Sequence, residues 1–116
     1  MTKSIDELKS ELKEFIRERD WEQFHSPKNL AVGLSVEASE LLEIFTWLTD
    51  EESKNVNSDK LSMVKDEIGD IFIYLLDFCS TVGIDPIECA HKKLQKNAKK
   101  YPIAKAKGNA TKYSEL

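Results

Sequence analysis

Two acidic pairs carry the residue types and spacing that could do chemistry: Glu37 with Glu40, and Glu67 with Asp70, each three residues apart. On a helix that spacing places both carboxylates on one face, and two such faces meeting across a bundle would offer oxygen atoms alone to whatever binds between them. The spacing by itself is weak, because Glu forms helices well and a solvated charged face explains most such pairs. Counter-charge changes the balance. No Lys or Arg occurs from Asn29 through Ser53, or from Asp66 through Ala90, so these acids lack the basic residue at i+4 that a surface face usually supplies. They are also set among Leu41, Leu42 and Ile44, and among Ile68, Ile71 and Phe72. Ionised carboxylates in apolar surroundings are costly unless a cation neutralises them. Magnesium, hard and satisfied by oxygen, fits this donor set, with Glu37, Glu40, Glu67 and Asp70 as ligands and manganese as a possible substitute. A ferritin-like di-iron centre would require two Glu-x-x-His pairs, and the chain has one, ending in His91.

Apolar residues recur at spacings of three and four, with only three Pro and four Gly in the chain, which predicts an all-α protein. The first helix is expected from Ile5 to Arg19, with Ile5, Leu8, Leu12, Phe15 and Ile16 on its apolar face. Trp21, Phe24 and His25 form a connector. Ser26-Pro27 caps a second helix reaching Leu48, a polar loop follows from Thr49, and Ser58 caps a third helix running from Asp59 to Thr81. Gly83 ends it, and Asp85-Pro86 starts a fourth helix that closes before Tyr101-Pro102. Beyond Pro102 the lysine-rich tail is expected to lack regular structure. The predicted organisation is one helical domain over residues 1–102, then a tail over 103–116 that folds back or extends onto a neighbouring subunit.

A chain of 116 residues fits a single core. Its net charge of -4 gives no basic field for nucleic acid, and the acids in its least charged stretch exclude a membrane span. Cys79 and Cys89, with no secretory signal pattern at the start, predict reduced thiols and a cytoplasmic location.

The segments RDWEQFHSPKNL, SVEASELLEIFTWLTDEE, KDEIGDIFIYLLD, KLQKNAKKYP and KYSEL, in that order along the chain, together resemble dCTP pyrophosphatases of the MazG-like all-α superfamily. The resemblance implies a four-helix-type MazG-like bundle completed by oligomerisation, as a homodimer or homotetramer. It implies magnesium-dependent hydrolysis of a nucleoside triphosphate, dCTP or a modified dCTP, to monophosphate and pyrophosphate. Glu37, Glu40, Glu67 and Asp70 match the family's metal-binding positions. The segment Trp21 to His25, with Trp47 and Tyr74, matches its nucleotide contacts; without the resemblance, core or subunit packing is the favoured reading of Trp21, Phe24 and Trp47. His25 is assigned to substrate binding and not to proton transfer. Lys93, Asn97 and Lys100 match a signature on the last helix, with phosphate contacts implied for the lysines. One departure is Leu12, where dCTP-selective relatives carry a histidine.

Two further readings compete: a nucleotide-sensing or protein-binding bundle without turnover, and a structural bundle whose acidic faces meet a partner's lysines. The first would bind triphosphate and release no pyrophosphate; the second would respond to salt and not to magnesium.

Overall fold

The structure is a computed structural model that describes residues 4–116, and every regular element among them is helical, as the periodicity predicts. The chain divides into two compact units, residues 1–83 and 84–116.

In the first unit, α1 spans Ile5–Glu18, begun by the Ser4 hydroxyl accepting the Glu7 N–H. Its three- and four-residue apolar spacing delivers Ile16 to the core. Phe15, expected on the same face, is exposed instead; its ring meets Trp21 edge-on at 5.8 Å and lies under the Arg19 guanidinium. Asp20 adopts φ 53°, a left-handed conformation that Asp tolerates better than most residues. That bend and a single 3-10 turn, Glu22–Phe24, carry the chain back to Ser26.

Ser26 caps α2, Pro27–Phe45, by accepting the Asn29 N–H, with Pro27 in the first turn. The helix stops three residues short of the expected Leu48 because Thr49 is needed in an extended conformation. There it caps α3, Asp50–Ser53, in a reciprocal capping box with Glu52. The expected loop therefore contains a helical turn. The long α4, Ser58–Val82, is capped by Asn57, whose side chain accepts the Lys60 N–H; Ser58, the expected cap, is its first residue. Gly83, at φ 75°, ends α4 in the left-handed conformation that a side chain would strain.

α2 and α4 pack along one another and α1 packs on α4. Leu30 and Leu76, 1% and 0% exposed, form the centre, joined by Ile16 and Cys79. α2 approaches α4 closely at Gly33, where an added Cβ would stand 2.3 Å from Tyr74 Cε1.

The second unit holds α5, Pro86–Lys100, begun by Asp85, whose carboxylate accepts the Ile87 and Glu88 N–H groups. The tail is more ordered than its composition suggests. A helical turn, α6, spans Ile103–Ala106, and a 3-10 turn spans Tyr113–Glu115. Tyr113 packs edge-on against Tyr101 at 6.0 Å, with the Lys100 ammonium 4.7 Å from its ring centre. No disulfide links Cys79 and Cys89. No helix among the described residues is long and apolar enough to cross a membrane.

Candidate metal and nucleotide site

Packing α2 against α4 brings the two acidic faces together. Oxygens of Glu37, Glu67 and Asp70 all lie within 4.8 Å of one another. Glu40, one turn along α2 from Glu37, lies close enough to the Glu37 and Glu67 carboxyls to raise both. Glu37 Oε2 and Glu67 Oε2 are buried, and no hydrogen-bond donor reaches either.

This geometry is electrostatically unfavourable without a cation. Burial, then proton sharing with Glu40 and the charges of Glu40 and Asp70, push the Glu37 carboxyl up to about 7. Burial and the Glu40 charge raise Glu67 as well. Buried polar atoms are normally paired, so two unpaired carboxylate oxygens facing the same small volume mark a place for a cation. A donor set made only of oxygen suits a hard divalent ion.

Seven residues beyond Asp70, about 10 Å along α4, a cavity of about 520 Å³ opens between α1, the connector and α4. Leu12 and Ile16 give it an apolar side; Lys9 and Lys13 come from α1, and His25 and Asp77 form a polar wall. His25 Nδ1 and Asp77 Oδ2 are 2.6 Å apart. Trp21, partly exposed, stands with its ring centre 6.5 Å from that of His25.

The other expected contacts lie on several elements. Tyr74, half-buried, lies on the α4 face between Asp70 and Asp77, with its ring against Gly33. Trp47, in the turn after α2, is 91% exposed. Lys93, Asn97 and Lys100 lie on α5 in the second unit, where Asn97 accepts the Tyr101 N–H through its carbonyl and Lys100 meets Tyr113.

The MazG-like family profile matches residues 32–116. The chain belongs to the MazG-like family. It is 34% identical over 115 residues to dCTP pyrophosphatase 1 of Bos taurus and 33% identical to that of Homo sapiens, covering 97% of this chain and 68% of each relative. The crystal structure of a pyrophosphatase from Archaeoglobus fulgidus superposes with a TM-score of 0.82 at 43% identity, covering 88% of this chain and 95% of that one.

In this MazG-like chain the residue that sequence reasoning left without a role is Asp77. Its signal was present: it continues the Glu67, Asp70, Tyr74 spacing along one face of α4 and has no Lys or Arg nearby in sequence. Its partner, 52 residues away, is a product of the fold.

Proposed function

We infer that this chain is a magnesium-dependent nucleoside triphosphate pyrophosphohydrolase that converts dCTP, or a base-modified dCTP, to the monophosphate and pyrophosphate. The observation that carries this reading is the pair of buried, donor-free oxygens on Glu37 and Glu67 beside Asp70. These residues fit a divalent ion, magnesium first and manganese as substitute. When bound, such an ion supplies neutralisation of the triphosphate charge and acidifies water at the site.

The chain's own groups divide the remaining work. Glu37, Glu67 and Asp70 would hold the ion. Glu40, exposed at the edge of that trio, is left to take the proton from the water that attacks phosphorus. The bond between the α and β phosphates breaks, and its electron pair leaves with pyrophosphate. The cavity walled by His25 takes the nucleoside, with Trp21 and Tyr74 as neighbouring aromatic surfaces. Lys93, Asn97 and Lys100 are assigned to phosphate contacts.

The exposed apolar residues support a homo-oligomer, a dimer or a dimer of dimers. Val32, Val36 and Leu42 on α2, with Leu61, Met63 and Ile68 on α4, leave apolar faces open, and a second copy would cover them. Trp47 would then reach a neighbouring copy's substrate. The cytoplasm, where nucleotide pools reside, is the proposed location.

The deciding experiment measures pyrophosphate release from canonical and modified deoxynucleoside triphosphates, with magnesium and with chelator. Magnesium-dependent release from cytosine-type substrates is expected. Silence across the panel with tight triphosphate binding would replace the enzyme with a sensing bundle.

A further inference from the structure

The cavity beside the carboxylate cluster contains a hydrogen bond that the hydrolytic chemistry does not use. The His25 and Asp77 side chains are only 24% and 13% exposed, and their contact is 2.6 Å. His25 sits in the connector between α1 and α2, outside any helix that would hold its ring. Asp77 is placed firmly, one residue after Leu76 and two before Cys79, both buried in the core. An ionised carboxylate can only accept a hydrogen bond, so a carboxylate on Nδ1 keeps the proton there and leaves Nε2 of the neutral ring as an acceptor. His25 is the one imidazole lining the cavity, and Leu12 and Ile16 offer the apolar surface on which a planar base would rest.

We propose that Asp77 is a positioning residue for base recognition, fixing the ring plane and tautomer of His25 so that Nε2 accepts a hydrogen bond from the amino group of a cytosine-type base. The inference rests on the nucleotide-binding reading above and adds a specificity determinant to it. The arrangement acts on binding and leaves bond cleavage to the carboxylates. A base with a carbonyl in place of the amino group presents an acceptor to an acceptor, and this wall disfavours it.

The test compares the full chain with Asp77→Asn, His25→Ala and the double variant, using dCTP and dTTP for kinetics and dCMP for binding without turnover. Two-bond proton–nitrogen spectra of His25 report the tautomer. Asp77→Asn is expected to raise KM for dCTP and the Kd for dCMP about tenfold, the loss of one charge-assisted hydrogen bond, with kcat nearly unchanged and KM for dTTP the same or lower, because Nε2 is no longer held as an acceptor. In the His25→Ala background the same change adds nothing, and in the single variant the Nδ1 proton signal is lost or split. Equal losses for dCTP and dTTP, additive losses in the double variant, or an unchanged Nδ1 proton would each overturn the assignment. If Asp77→Asn loses helix content, Asp77→Ser under the same readouts decides. A wild-type chain that binds dCMP without releasing pyrophosphate refutes the enzymatic reading alone, and the binding and spectral arms still judge Asp77; one that binds neither dCTP nor dCMP refutes both.

Discussion

Replacing Glu37 by Gln keeps the shape of the side chain and removes its charge, which moves stability in opposite directions with and without a divalent ion. In the ion-free protein the Glu37 carboxyl is raised from 4.5 to about 7, chiefly by burial and then by Glu40 and Asp70. Between those values the folded state holds a proton that the unfolded chain has released. Stability therefore declines as pH rises through this window and stays low above it. At pH 8 the charge is a liability, on the order of 1 kcal/mol at a half-buried position once solvent screening is allowed for. Glu37→Gln should accordingly raise the melting temperature in chelator by about 4 °C. Magnesium at a hundredfold excess over its Kd stabilises the wild type by about 2.7 kcal/mol, roughly 10 °C for a chain of this size, and the variant should gain little. The assay is thermal unfolding followed by helical circular dichroism at pH 8, in chelator and in magnesium. The variant melts higher in the first and lower in the second, and at pH 5 its advantage in chelator disappears. An equal magnesium shift in both proteins, or a variant that is less stable in chelator, would refute the assignment of Glu37 to a cation site.

Glu40→Gln or Asp70→Asn should cut pyrophosphate release by about 100-fold or more while the helical spectrum is retained, because each removes a charge from the reacting centre; activity near that of the wild type would remove the residue from the site. Leu76→Ala, at a position with no exposure, should cost about 2–5 kcal/mol in urea unfolding, whereas Trp47→Ala, at a side chain that is 91% exposed, should leave the single-chain fold in place and raise KM. Gly33→Ala puts a Cβ 2.3 Å from Tyr74 Cε1, so the ring must move, with a stability loss of about 1–3 kcal/mol and weaker nucleotide binding measured on the same samples.

Local signals were legible in the sequence where the physics is local. Ser26-Pro27 and Asp85-Pro86 start α2 and α5 as expected, because a capping side chain and a proline act within one turn. Of the carboxylates picked out by the 37/40 and 67/70 spacing, Glu37, Glu67 and Asp70 come together, since a helix fixes the face whatever its neighbours are. The Thr49–Glu52 capping box was also written locally and was passed over as polar loop, which is why α2 was extended too far. The ordered tail was not legible in this way. It includes the Tyr101–Tyr113 contact, twelve residues apart, and composition alone cannot announce such a pairing. The same holds for His25 and Asp77: each is unremarkable in its own segment, and only the packing of the connector against α4 gives them a shared role.

The face of α4 that carries Glu67, Asp70, Tyr74 and Asp77 explains the missing lysines of the two central helices. A basic side chain at i+4 would pair with these acids and relieve the burial and repulsion that raise Glu37 and Glu67. It would also fill, with a tethered ammonium, the volume meant for an exchangeable ion. If the cluster holds a cation as proposed, withholding that partner makes the empty cluster unstable and the loaded one favourable, and the free energy lost to unpaired oxygens would return as affinity for the cation. Asp77 shows the opposite solution on the same helix face. There the carboxylate is given a permanent partner in His25, the direct pairing suited to a wall that must hold its shape while ligands come and go. In the proposed reading, one helix thus carries an unsatisfied end for the ion and a satisfied end for the nucleoside, separated by about two turns.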